Sequence, residues 1–407
     1  MILAARILGQ VSFGEFGLIQ ATLGVFGIMA GVGLGSTATR FVAQYAKPDP
    51  KRAGRVIALV TASSIITVLV ASGLLIAVSG ILAERVLQAP HLQQALIWGT
   101  LLLAFSAFRG IQNGTFAGLE RFDIIAKLNI LDGVLALPAI VLLAILLGVE
   151  GALLGLALSA SVVWIVGRFL LAQDLRERRI RIQYRGAWAD WRILPNYGLP
   201  RFLVSSFSTP VIWLAMVLVA RSEDGFAALG LYNAAYQWVG PLIFAPMILS
   251  TVSIPILVQE WEAGRADRFR RTFLALLIFF SGTVFIPASL VALASPWIMG
   301  LYGPRFEEGW RLLVVLALGA PLLAIGGISS NALFAMNSPW KDLSIMFLWG
   351  LVMLGWTTIF LSKWGVFALV SGFFVAHLLR ALITSLMVFR AVQRQALSSL
   401  SGRSGLG

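Results

Sequence analysis

The residues of this chain best suited to chemistry are polar side chains standing in apolar sequence. Arg6, Arg40, Arg109 and Arg380 are flanked by runs of Leu, Ile, Val, Phe and Ala, and so are Asn113, Asp132 and His377. A guanidinium presents N–H donors in a planar fork, which matches carboxylate and phosphate oxygens. Arg109 precedes Arg121 by 12 residues and Asp132 follows it by 11, so in an antiparallel helix pair the two charges reach similar depth. Opposite charges at one depth meet. Two readings of that meeting stand: an ion pair holding the hairpin together, or a proton-sensitive or substrate-coupled switch. Asn113, one turn beyond Arg109, and Asn129, three residues before Asp132, extend the polar face. Arg380 stands ten residues before Arg390, with His377 three residues earlier on the same face. That pair suits phosphate binding, a response to pH, or a structural role against a polar cavity.

A second pattern with chemical promise is GVGLGSTATRF, Gly31 to Phe41, where alternate glycines precede hydroxyls and Arg40. A nucleotide-binding loop of this look needs a β-strand before it and an open helix N-terminus after it. Here the glycines lie inside an apolar run from about Phe13 to Ala46, so they read as close-packing or bending positions of a membrane helix. No H-E-x-x-H, nucleophile elbow, Walker motif or acid pair in an extended loop is present, and no enzyme is expected. With no cysteine, and with His91 and His377 in different spans, neither metal nor cofactor is expected.

The elements that must position these residues are set by composition. Hydrophobic residues make up 59% of 407, charged residues 12%, and the mean hydropathy is +0.89. There is too little polar surface to coat a water-soluble core, so an all-α polytopic membrane protein is expected. Apolar segments fall near residues 56–83, 91–118, 124–148, 150–173, 199–220, 226–258, 272–301, 309–337, 342–362 and 365–390. With the first two regions they predict about 12 transmembrane helices. Met1 to Gly9 spans only about 14 Å as helix, against a hydrocarbon core of about 30 Å, so the first helix reads as truncated. No secretory signal pattern precedes the next span. Basic residues crowd alternate loops: Lys47 to Arg55, Arg176 to Arg192, and Arg265 to Arg271. The positive-inside rule then places both termini on the cytoplasmic side of the membrane. The net charge of +13 is accounted for by that rule and by anionic lipid, so no nucleic acid partner is expected.

A weak repeat runs through the chain. Gly17-Leu18-Ile19-Gln20-Ala21 aligns with Gly230-Leu231-Tyr232-Asn233-Ala234, and the same offset brings the basic stretch from Asp49 to Arg55 onto Glu262 to Arg268 and Gly33 onto Pro246. Further on, Asn113 to Ala117 matches Asn331 to Ala335. This predicts two pseudo-symmetric six-helix lobes, residues 1–173 and 199–392, joined by a basic cytoplasmic linker, 174–198, and followed by a cytoplasmic tail, 393–407. Six crossings per half give the halves one orientation, with the axis along the membrane normal.

Ala5-Arg6-Ile7-Leu8-Gly9, Phe13-Gly14-Glu15-Phe16-Gly17-Leu18 and Gly33-Leu34-Gly35 ahead of Arg40 resemble the amino-terminal pattern of the oligosaccharide (Wzx-type) flippases. Gly118 to Phe122, Tyr197 to Pro200 and Leu229 to Ala235 resemble later landmarks of that family. It shares a superfamily with the multidrug and toxin extruders and the peptidoglycan-precursor flippases. The resemblance implies an alternating-access carrier that moves a polyprenyl-pyrophosphate-linked oligosaccharide from the cytoplasmic to the outer leaflet. Its partners would be that substrate, membrane lipid, and a polysaccharide polymerase and glycosyltransferases. Substrate pyrophosphate needs paired cations at membrane depth, and the candidates are Arg6, Arg40, Arg109, Asn113 and Arg380, with Asp132 and His377 as coupling or ion-pair residues. Arg6 matches an arginine that lines the cavity in the related precursor flippases; the alternative is snorkelling at a helix end. Arg40, about 10 Å inside Lys47 by helical rise, divides between the cytoplasmic mouth and snorkelling. The rival function is an ion-coupled multidrug or small-molecule exporter on the same scaffold, which should line its cleft with carboxylates.

Overall fold

Peptide groups in lipid have no water to bond, so an apolar chain of this kind closes its hydrogen bonds within helices. The computed structural model describes residues 1–31, 33–191 and 206–404, and among the described residues there is no strand. Arg192, Arg201 and the stretch Tyr197 to Pro200 lie outside them. Among the described residues, eight helical stretches are long and apolar enough to cross a membrane. One of these, Phe122–Glu177, counts 56 residues, well over twice the about 20 that a bilayer needs. It is two arms broken at Gly148, whose φ of 59° and ψ of −132° leave the helical region.

The chain divides into two compact units, Leu3–Trp213 and Leu214–Gly407. The first holds α1 (Ile2–Gly31, broken at Gly9), α2 (Leu34–Tyr45), α3 (Pro50–Ile81), α4 (Gln93–Gly118) and α5 (Phe122–Glu177). The boundary falls inside α6 (Ser208–Ala220), and the second holds the rest of α6 with α7 (Gly225–Tyr236), α8 (Val239–Glu262), α9 (Ala266–Leu293), the short α10 (Ser295–Gly300), α11 (Trp310–Ala335), α12 (Pro339–Trp364) and α13 (Val366–Ser404). Among the described residues, joining α1 past Gly9 to α2 and α7 to α8, and dividing α5 at Gly148, gives six rods in the first lobe, beginning with residues 2–8, and six in the second, beginning with α6. The duplication is written in the turns. Left-handed residues recur at matching joints: Gly9 and Asp224, Gln88 and Gly303, Glu120 and Asn337, Gly148 and Gly365. Gly148 and Gly365 share even their ψ, −132° and −137°.

Two local features shape the first lobe. Gly33 takes φ 66°, open to glycine at no steric cost, and this ends α1 and starts α2 inside the apolar run. The hydroxyls of Ser36 and Thr37 donate to its carbonyl at 2.8 and 3.0 Å, which satisfies donors that lipid could not. At the aligned position in the second lobe, α8 runs unbroken through Pro246. The second feature is close packing of α2 on α4 through Gly35, Gly114 and Gly118. A Cβ on Gly114 would lie 2.1 Å from the Gly35 carbonyl oxygen, so the backbones touch as small-xxx-small pairs allow.

Each unit has its own buried core. In the first, Val56, Phe116, Leu128 and Val163 pack together; in the second, Phe269, Phe273, Phe280 and Leu333 do. The segment after α5 folds back on α3, burying Ile180 and Ala187. Trp188, Trp191, Trp297 and Trp310 are exposed, as interface-belt residues are.

Candidate functional site

A cavity of about 580 Å³ opens within the first lobe. One wall is a single face of α1 and α2, carrying Gln20, Gly24, Gly27, Gly31 and Gly35; Ser106 and Arg109 of α4 and Asp132 of α5 form the polar side. At Gly27 and Gly31 an added Cβ would meet nothing within 4 Å, so their missing side chains are cavity space. The glycines of the GVGLG stretch thus divide their work: Gly31 widens the cavity, Gly33 breaks the helix, and Gly35 admits α4.

Arg109 and Asp132 meet here. Nη1 of Arg109 donates to Oδ2 of Asp132 at 2.8 Å, with the side chains 18% and 31% exposed. Asp132 Oδ1 accepts from the Ser159 hydroxyl at 2.8 Å, so both carboxylate oxygens are used. Only one of the five N–H donors of Arg109 is spent on a partner among the described residues. A guanidinium at this depth, neutralised by one carboxylate and with donors to spare beside a cavity, can take an anionic oxygen without breaking its pair. Ser159 lies outside any sequence motif. So does Gln112, which is buried and donates to the Trp164 carbonyl at 3.0 Å.

The second lobe builds a related triad from the corresponding three rods. Arg380 of α13 donates through Nη2 to the Ser330 hydroxyl of α11 at 2.9 Å, and Ser330 donates to Oδ1 of Asp342 of α12 at 2.8 Å. The direct Arg380 to Asp342 separation is 3.9 Å. In both lobes the acid stands on the middle rod, while arginine and serine exchange places on its neighbours. Asp342 lies in the first turn of α12, so Arg380 reaches toward the basic end of its lobe, whereas Asp132 sits about 15 Å along its arm. Nothing in the sequence marks Asp342 as a partner, because its neighbours Lys341 and Trp340 resemble a solvated helix start.

The remaining candidates are spread out. His377 is buried between the rings of Phe373 and Trp349, at centroid distances of 4.2 and 5.2 Å. Its Nδ1 lies 2.8 Å from the Phe373 carbonyl and 3.3 Å from the indole Nε1 of Trp349. Three residues apart on α13, His377 and Arg380 face different partners. Asn113 is half-buried and outside the cavity lining, and Asn129 is exposed. Arg6 is exposed; Arg40 is exposed with its guanidinium 5.6 Å from the Phe41 ring centroid. Tyr232 is fully buried in its lobe, stacked on Tyr236. His91 Nε2 lies 2.7 Å from Glu15 Oε1 at the end of the first lobe away from its basic turns. Among the described residues no group of three His, Cys, Asp or Glu could hold a metal. At the turn into α5, Arg121 pairs with Asp123 and with the buried Asp174, which Arg178 also reaches; these hydrogen bonds, Asp123 first, raise the Arg121 pKa above its ordinary value.

Comparison with known proteins agrees with this architecture. The family described as polysaccharide biosynthesis protein matches residues 1–261. The EPS I polysaccharide export inner membrane protein EpsE of Ralstonia solanacearum is 22% identical over 351 residues, covering 84% of this chain and 78% of that protein. Among solved structures, an inward-facing multidrug resistance MATE family transporter of the MOP superfamily superposes with a TM-score of 0.79 at 16% identity, over 98% of this chain and 95% of its own. A MOP superfamily transporter from Pyrococcus furiosus, described by a reverse polarity of its binding pocket, gives 0.68 at 17% identity over 97% and 92%. At these identities the superpositions establish the fold.

Proposed function

We propose, for a chain that belongs to the polysaccharide biosynthesis protein family and carries the MOP transporter fold, that it is an alternating-access flippase for a polyprenyl-pyrophosphate-linked oligosaccharide. It moves this substrate from the cytoplasmic to the outer leaflet during surface polysaccharide assembly. The observation that carries the reading is Arg109, held in a cavity within the apolar span with most of its donors unspent. A pyrophosphate crossing hydrocarbon needs charge-assisted donors at that depth, and the polyprenyl tail can stay in lipid. Glycine walls leave room for bulky sugar beside the charged head. Asp132 holds Arg109 in position while the cavity is empty, and Arg380, tethered through Ser330, offers a second cation nearer the basic end of its lobe. With no nucleotide-binding motif, the drive is an ion gradient, the membrane potential or the substrate gradient itself.

The test is leaflet assay of a fluorescent polyprenyl-pyrophosphate oligosaccharide in vesicles containing the purified protein. Wild type should move the lipid and the Arg109→Ala variant should not. Transport of cationic drugs instead, abolished by Asp132→Asn and indifferent to Arg109→Ala, would assign the chain to the exporter reading.

A further inference from the structure

A second cavity, of about 620 Å³, lies within the second lobe where α8 ends and α12 begins. It is unlike the first in charge. Lys341, Arg390 and Arg394 line it, together with Ser338, which is the N-cap residue of α12, and the apolar Trp261 and Met387. No carboxylate is among its described lining residues. The neighbouring acid, Asp342, points the other way, toward Ser330 and Arg380, and Glu260 is held by Arg265. Three cations therefore converge without an internal counter-ion. They do so at the first turn of a 26-residue helix, where the helix dipole adds to the positive field.

We propose that this pocket is a binding site for the phosphate head of an anionic phospholipid of the cytoplasmic leaflet, separate from the transport cavity. Its position follows from the same basic turns that orient the chain: α8 and α9 meet at Arg265, Arg268, Arg270 and Arg271, and such turns face the cytoplasm. The mixed lining distinguishes a lipid from a free anion. Trp261 and Met387 offer an apolar floor for the glycerol and first methylenes, and Trp side chains favour this interfacial level, while the three cations meet the phosphate. Basic pockets between membrane helices on this side accept lipid head groups. A soluble phosphate would gain nothing from the apolar half. Bound lipid would bridge α8, α12 and α13, the rods that flank the Arg380 triad, and so stabilise the second lobe.

The experiment is native mass spectrometry and thermal unfolding of the full chain in detergent. It is titrated with phosphatidylglycerol, cardiolipin or phosphatidylcholine, or with inorganic phosphate or pyrophosphate. We expect the anionic phospholipids to bind and raise the unfolding temperature, and phosphatidylcholine to do neither. At about fivefold per cation near a membrane surface, the Arg390→Gln, Arg394→Gln double variant should bind them about twenty-five-fold more weakly. Arg109→Ala should bind them as wild type does, which separates this site from the transport cavity. If the double variant does not fold, Lys341→Gln alone, at an exposed position, should weaken binding about fivefold. Unchanged lipid binding in the folded variants, or equal retention of phosphatidylcholine, overturns the proposal. Displacement of bound lipid by millimolar inorganic phosphate or pyrophosphate overturns its assignment to a lipid.

Discussion

Separating Arg109 from Asp132 should cost the first lobe a measurable coupling energy, and the structure bounds its size. Two unit charges about 4 Å apart attract by about 4 kcal/mol at an effective dielectric of 20. Side-chain exposures of 18% and 31% at the cavity admit water, which lowers that figure toward the value of about 1 kcal/mol or less found for exposed pairs. Ser159 pulls the other way by fixing the carboxylate at 2.8 Å, so that less side-chain freedom is lost when the pair forms. A coupling of about 1–2 kcal/mol is expected from these limits. The assay is a double-mutant cycle on Arg109→Ala and Asp132→Ala, read by reversible unfolding in mixed micelles and repeated at high salt. The exchanged pair, Arg109→Asp with Asp132→Arg, should regain most of the stability that the single charge variants lose, because the two positions lie level across the α4 and α5 hairpin. It should not regain oligosaccharide export, because the guanidinium would then start from α5. A coupling below about 0.5 kcal/mol, within the error of additive behaviour, would refute the reasoning that these charges recognise each other. Full export by the exchanged pair would refute the claim that the position of the guanidinium matters.

Other expectations use the glycines and the second triad. Gly31→Leu should fill the cavity and abolish export while leaving membrane insertion and unfolding temperature close to wild type, since its Cβ meets nothing within 4 Å. Gly114→Ala should behave in the opposite way: a Cβ 2.1 Å from the Gly35 carbonyl forces α2 and α4 apart, costing about 1–3 kcal/mol or more and lowering the yield of folded protein. Ala at Gly148 or Gly365 should cost about 1–3 kcal/mol in unfolding measurements, as both positions hold backbone angles that a Cβ strains. Arg380→Ala should lower export with insertion intact; Ser330→Ala, which removes the hydroxyl between Arg380 and Asp342, should lower it less.

Solvent and chain direction set much of this molecule, and both are legible in the residues alone. Composition demanded lipid, span lengths predicted about twelve helices, and the weak repeat predicted their division into six-helix lobes. A hairpin counted outward from its turn placed Arg109 opposite Asp132, because along one helix pair depth is a matter of residue number alone. That arithmetic fails once a third rod is involved. Ser159 and Asp342 complete the triads from elements whose rotation about their own axes is set by packing, and no spacing in the sequence reports it. The same applies to His377, read beside Arg380 on one face. Three residues leave the two side chains about 60° apart around the helix axis, enough for one to enter an aromatic cluster and the other a polar one. The glycines show the division most plainly. Their number around Gly31 to Gly35 announced close packing or bending, but only neighbouring backbones decide which glycine is contact, which is hinge and which is empty space.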